Sequence, residues 1–149
     1  MDARTAAAAA TATAMTNWLD AVTRALLPPE TPPAPPARNH DHLLDLIGEG
    51  PRADAAVLMA IRDLPEPRVV FTLRRDDLAH HAGQVSFPGG RTDHGDSGAI
   101  ETALREGREE IALDPNAVEP LGFIDCLETV SGFCVTPVVA RLAADAVRV

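Results

Sequence analysis

Residues 83–113 read GQVSFPGGRTDHGDSGAIETALREGREEIAL, and the architecture follows from them. Val85-Ser86-Phe87 is a short run of β-formers stopped by Pro88-Gly89-Gly90. Beyond the glycines, Ile100, Ala103, Leu104, Gly107 and Ile111 recur at i, i+3, i+4, i+7 and i+11, the signature of one apolar helix face. Within that helix Glu106 and Glu110 stand at i and i+4, and Glu106 and Glu109 at i and i+3, so three carboxylates share one side. Like charges so placed repel unless cations sit on them, and hard oxygen donors of this kind suit Mg²⁺ or Mn²⁺. A strand, a glycine loop and an acidic helix therefore predict a place where a metal is held against a phosphate.

Each of these signals has a plainer reading. An Arg-Glu-x-x-Glu-Glu run alone is common on solvated helix faces. Gly89-Gly90 can be an ordinary turn, although glycine also permits the close backbone approach that a phosphate or metal exploits. Asp93 and Asp96 read as helix N-capping residues near Ser97. His80 and His81 read as exposed loop residues. What favours chemistry is the combination: Phe87-Pro88-Gly89-Gly90 stands at a fixed interval before Arg105-Glu106.

Working outward, Ala55 to Ile61 is a continuous apolar run, Asp63 to Pro67 a turn, and Arg68 to Leu73 a second β-rich run, which predicts a hairpin. Val118 to Glu128 and Phe133 to Leu142 predict two further strands around Ser131-Gly132. Toward the N-terminus, Thr16 to Leu27 carries Trp18, Leu19, Val22 and Leu26 at helical spacing and stops at Pro28-Pro29. Pro28 to Pro36 reads as an extended linker, and His42 to Ile47 as a short helix ended by Gly48. Residues 1–40 are thus expected to be a mostly flexible tail with one short helix, and residues 41–149 the folded domain. Only one strong core helix follows residue 54, and a mixed sheet normally needs a layer on each face. The expectation is a domain incomplete at its C-terminus.

The 149-residue length fits one domain. A formal net charge of −9 argues against nucleic acid or an anionic membrane as the main partner. No run approaches the roughly 18 apolar residues that span a bilayer. The alanine-rich Thr5 to Ala14 lacks the Leu or Phe of an export signal. Cys126 and Cys134 make no disulfide framework and read as small buried hydrophobes, so a reducing cytoplasm is expected.

The glycine-to-glutamate spacing resembles the Nudix box, Gly…Arg-Glu-x-x-Glu-Glu-x-Gly. More narrowly, Phe71-Thr72-Leu73-Arg74, Leu78…His81-Ala82-Gly83-Gln84-Val85-Ser86-Phe87-Pro88-Gly89-Gly90 and Thr102-Ala103-Leu104-Arg105-Glu106 are similar to the coenzyme A pyrophosphatase branch of that family. That branch carries one extra residue between its acidic position, here Asp96, and the arginine. Val130-Ser131-Gly132-Phe133 and Val135-Thr136-Pro137-Val138-Val139 are similar to it as well. The resemblance covers residues 55–142. It implies an α+β fold, a Nudix-type α/β/α sandwich with a mixed sheet. It also implies metal-dependent hydrolysis of the pyrophosphate bond of coenzyme A or an acyl derivative, with Mg²⁺ or Mn²⁺ as cofactor and a small-molecule substrate as partner. Another nucleoside diphosphate derivative, or an inactive nucleotide-binding module, is the alternative.

By the same resemblance, Glu106 and Glu110 match metal-ligand carboxylates, and Glu109 matches the adjacent glutamate that coordinates or serves as base. Arg105 matches the arginine that orients these acids, and Gly90 the box glycine whose carbonyl reaches the metal. Gly89 precedes it in the same loop. Arg74, His81, Gly83 and Gln84 fall in the segment implied to meet substrate. Three positions depart from the pattern. Ala79 replaces a usual arginine, Gly107 replaces alanine and loosens the helix by about 0.5–1 kcal/mol, and Ala112 stands where glycine would cap the helix.

Overall fold

A computed structural model describes residues 18–73 and 83–146. The elements in order are helix α1 (18–25), α2 (His40–Ile47), strands β1 (Ala53–Arg62), β2 (Arg68–Val69), β3 (Thr72–Leu73), β4 (Val85–Ser86) and β5 (Gly89–Arg91), helix α3 (Ala99–Ile111), and strands β6 (Val118–Phe123), β7 (Leu127–Glu128) and β8 (Phe133–Leu142). A 3₁₀ turn, Pro115–Ala117, capped by the Asp114 side chain, leads from α3 into β6.

The spine is the pair β1 and β8. They run parallel over ten residues, from Ala53 opposite Phe133 to Arg62 opposite Leu142. All other partners in this sheet are antiparallel: β2 and β5 share the far edge of β1, and β6 and β7 share the far edge of β8. The sheet is mixed, as expected. The β1 run is continuous in apolar residues because both its edges are occupied and one face is fully covered. Ala56, Leu58 and Ala60 are completely buried, whereas Val57, Met59 and Ile61, which alternate with them, are half-buried. The first set packs beneath α3, which lies across β1, β5 and β8.

Helix α3 buries Thr102, Ala103 and Gly107, with Ile100, Leu104 and Ile111 packed partly against the core. The small residues matter here. A Cβ on Gly107 would stand 3.0 Å from both Leu58 Cδ2 and Leu113 Cδ2, two nearly inaccessible side chains. The glycine that weakens the helix locally therefore lets two leucines fill the space beside it. At the other end Ala112 takes the left-handed conformation (φ 51°, ψ 38°) that glycine usually supplies, so the cap forms with a strained residue in it.

The hairpin β1–β2 forms as expected, but Thr72–Leu73 leaves it and pairs with Val85–Ser86 in a separate two-stranded ribbon. Phe71 and Phe87, flanking that ribbon, stack at 4.8 Å. The double glycine is a strand rather than a loop: Gly89 and Gly90 pair with Val57 and Ala56.

The stretch read as a flexible tail and linker is tied down in its described part. Leu27 exchanges two backbone hydrogen bonds with Phe123, at 2.9 and 2.8 Å, as an added bridge on the β6 edge. Ala37 is buried, and the Arg38 N–H donates to the Cys126 carbonyl at 3.2 Å. The Asn39 amide brackets the Glu128 backbone, donating to its carbonyl at 2.9 Å and accepting from its N–H at 2.8 Å. The Glu128 carboxylate, nearly buried, meets His40 Nδ1 at 2.8 Å and Arg52 Nε at 3.2 Å. His40 first, then Arg52, hold that carboxyl below its usual range. Only Leu27 bridges to Phe123; the proline-rich residues that follow run as turns and bends with no strand among them.

Cys126 is buried and Cys134 half-buried, and both are free thiols. Among the described residues no helix is long and apolar enough to cross a membrane.

Candidate active site

The site is built where β5 leaves the sheet and α3 returns over it. Gly90 carries no positive φ, so backbone freedom does not explain its identity. Space does. A Cβ there would stand 2.6 Å from Glu106 Cδ and 2.9 Å from Glu106 Oε2. The Glu106 carboxylate thus rests directly on the Gly90 backbone, with its side chain 16% exposed. At Gly89 the obstacle differs: an added Cβ would be 2.7 Å from Val57 Cα, so this glycine serves the approach of β5 to β1.

Arg105 fixes Glu106 in that seat. Its Nη1 donates to Glu106 Oε1 at 2.8 Å, its Nη2 to the Arg91 carbonyl at 2.9 Å and to Asp96 Oδ2 at 3.0 Å, and its Nε to Asp96 Oδ1 at 3.1 Å. The planar guanidinium spans helix, strand and loop at once, a use of its fork that lysine cannot make. Its charged form is strengthened by Asp96 first and Glu106 second. Asp96 answers with a carboxyl lowered to about 2, chiefly by the Arg105 hydrogen bond and then by the Asp93 N–H at 2.9 Å.

The role read for Asp96 from sequence, an N-cap, is corrected by this geometry. The N-cap is Gly98, which has no side-chain cap bond, and Ser97 N–H is taken instead by Glu101 Oε2 at 2.8 Å. Asp96 reaches past the helix start to a guanidinium a turn and more inside it. The available signal was electrostatic: an arginine amid carboxylates, with five donors to satisfy, needs a second acid off the helix.

The three glutamates do not share one environment. Glu106 is enclosed. Glu109, 61% exposed at its side chain, lies 3.6 Å from Arg105 Nη1. Glu110 is exposed one turn beyond Glu106 and, like Gln84, is not free of partners. Gly83 (φ 68°) and Gln84 lie exposed just before β4. Arg74 and His81 lie outside the described residues. Beside Glu106 opens a cleft of about 460 Å³ lined by Arg91, Thr92, Asp93, His94, Arg105 and Glu106.

A divalent cation fits this donor set in kind. The oxygens are hard, and Mg²⁺ commonly takes one or two carboxylates while keeping several waters. Glu106 is the pre-positioned donor, seated against a strand with no Cβ to displace it. Among the described residues no group of three or more His, Cys, Asp or Glu is gathered as a metal cluster.

Comparison with known proteins agrees with the fold. A protein of Pectobacterium atrosepticum described as "Uncharacterized Nudix hydrolase NudL" is 53% identical over 91 residues, 61% of this chain and 47% of that protein. Its namesake in Yersinia enterocolitica is 54% identical over 85 residues, 57% of this chain and 44% of that protein. The chain spans about half the length of these relatives. Among solved structures, the Nudix hydrolase RenU of M. smegmatis superposes with a TM-score of 0.52 at 21% identity, covering 64% of each chain. The C. elegans Ap4A hydrolase gives 0.52 at 20% identity over 66% of this chain and 74% of its own. At such identities the likeness shows the fold alone. The NUDIX domain model, however, matches residues 51–142, which takes in the sheet, α3 and the cleft, and the chain belongs to the Nudix family.

Proposed function

We propose that this chain hydrolyses a pyrophosphate bond in a divalent-metal-dependent reaction, and that its substrate is coenzyme A or an acyl-coenzyme A. The products are 3′,5′-ADP and 4′-phosphopantetheine or its acyl derivative. The observation that carries the chemistry is the Glu106 carboxylate held on Gly90 by an Arg105 that Asp96 anchors. Support for coenzyme A over other diphosphates comes from the sequence run through Gly83 to Gly90 and its similarity to that branch. Free thiols at Cys126 and Cys134 are compatible with a reducing cytoplasm as the setting.

In this reading Glu106 and Glu110, one helical turn apart, hold Mg²⁺ or Mn²⁺. When bound, the ion neutralises diphosphate charge and lowers the pKa of water. Arg105 orients Glu106 and spreads the negative charge of the helix face. Glu109, mostly exposed at its side chain, accepts the proton of the attacking water. Gly90 offers its carbonyl and Gly89 lets β5 approach β1. Arg74, Gly83 and Gln84 contact the coenzyme A side of the substrate, and His81 a phosphate. Catalysis of this kind rests on positioning and charge neutralisation rather than on a covalent intermediate.

The test is hydrolysis by purified protein with Mn²⁺ or Mg²⁺, coenzyme A and ADP-ribose being run side by side with chromatographic product analysis. Metal-dependent release of phosphopantetheine is expected. Turnover of ADP-ribose alone would move the substrate to another nucleoside diphosphate derivative. No product from either, at high enzyme concentration, would leave an inactive nucleotide-binding module.

A further inference from the structure

Thr102 is completely buried in α3, and the chemistry above makes no use of it. A buried hydroxyl costs free energy unless it is bonded, and this one has three acceptors around it. Its Oγ1 lies 3.0 Å from Asp96 Oδ2, 3.2 Å from Thr92 Oγ1 and 3.2 Å from the Gly98 carbonyl. With one proton to give, the charged carboxylate is the strongest acceptor. Asp96 Oδ2 is also the oxygen that Arg105 Nη2 and the Asp93 N–H approach.

We propose that Thr102 is a positioning residue for the metal-holding carboxylate. Its hydroxyl fixes the rotation of the Asp96 carboxylate, Asp96 fixes Arg105, and Arg105 holds Glu106 on Gly90. The relay runs through three short bonds: Thr102 to Asp96 at 3.0 Å, Arg105 to Asp96 at 3.0 Å, and Arg105 to Glu106 at 2.8 Å. It reaches back to the strand side as well, because Thr92 follows β5 directly and lines the cleft. The inference rests on the reading of Glu106 as a metal ligand. A role confined to filling space and closing the first helical turn would leave metal binding untouched.

Thr102→Val keeps the branched shape and removes the hydroxyl; Thr102→Ser does the reverse. The readouts are Mn²⁺ binding by calorimetry, kcat and KM for coenzyme A, and the melting temperature. Loss of a group that orients a ligand typically weakens metal binding by ~10–100-fold, and the lower end, about 10-fold, is expected for Thr102→Val because it acts through Asp96 and Arg105. Its kcat is expected to fall with KM unchanged. Thr102→Ser is expected to restore metal affinity and kcat even though a lost buried methyl lowers its melting temperature. Thr102→Ala removes the same hydroxyl with a smaller footprint and should match Thr102→Val if the latter folds poorly. Wild-type Mn²⁺ affinity in the folded Val and Ala variants, or a Ser variant as weak as they are, would overturn the proposal. The wild-type arm reports separately on the function. Mn²⁺ binding without coenzyme A hydrolysis would sink the substrate reading while leaving the Thr102 comparison intact, and no Mn²⁺ binding would sink the metal reading and Thr102 with it.

Discussion

Substituting alanine at Gly90 and at Gly89 should separate catalysis from folding within two adjacent residues. At Gly90 the new Cβ would stand 2.6 Å from Glu106 Cδ. Two carbons settle at about 3.5–4.0 Å, so one side must retreat by about 1 Å. Gly90 cannot, because it is paired with Ala56 in the β1–β5 ladder. Glu106 must, and it can, since its carboxylate is the end of a flexible side chain. The stability cost should therefore fall at the low end of overpacking, about 1 kcal/mol, while a 1 Å displacement of the ligand costs ~10²-fold in turnover. At Gly89 the obstacle is Val57 Cα at 2.7 Å, which is backbone. Gly89→Ala should cost about 3 kcal/mol, or roughly 10 °C in Tm for a chain of this size. Thermal melts and Mn²⁺-dependent coenzyme A hydrolysis provide the two axes. A cycle with Glu106→Asp sharpens the test: the shorter side chain already withdraws from Gly90, so adding Gly90→Ala should do less further harm, with a coupling of about 1 kcal/mol in Mn²⁺ binding. Full activity in Gly90→Ala, or no coupling in the cycle, would refute the claim that glycine is there to seat Glu106.

Three further outcomes are expected. Glu110→Gln should cut turnover by at least ~10²-fold with little change in melting temperature, because the residue is exposed and lies outside the core; surviving turnover would remove Glu110 from the metal site. Asp96 has a folded pKa lowered to about 2, so it contributes stability at pH values above the ordinary carboxylate range near ~3.9. That contribution should be lost as pH falls from about 4 to 2, and the stability gap between wild type and Asp96→Asn should close over that window in urea titrations; a gap unchanged at pH 2 would contradict the ion pair. Ala112→Gly should raise stability by about 0.5–1 kcal/mol, since the exposed alanine occupies a left-handed cap that costs glycine nothing in strain; an unchanged or lower urea midpoint would show that the cap is unstrained.

What sequence could show and what it could not differ by the range of the interaction. Helix α3 was legible because Ile100, Ala103, Leu104, Gly107 and Ile111 keep one period, and period depends only on neighbours along the chain. The β1 and β8 runs are legible from local composition, a stretch of apolar and β-forming residues, but their parallel pairing is not, since nothing in either run names its partner. At Asp96 the local rule, an acid just before a helix, competes with a stronger tertiary contact, and Arg105 decides between them. Helical spacing put Glu106, Glu109 and Glu110 on one side, yet Glu106 is enclosed while Glu109 is mostly exposed.

That difference arises because β5 is only three residues long and passes under a single turn of α3, where a glycine admits one carboxylate. Glu110, one turn further along, is exposed. The helix alone supplies an acidic stripe whose members are equivalent; the short strand breaks the equivalence and assigns the seated position to Glu106. Gly89 and Gly90 show the same step in reverse: identical in sequence, they face Val57 backbone and Glu106 carboxylate respectively, so one serves the fold and the other the site. A single pre-placed carboxylate, anchored through Arg105 to Asp96, is the feature on which the proposed cation site rests. A chain with the same helix but a bulkier residue at position 90 would keep the stripe and lose the seat of Glu106.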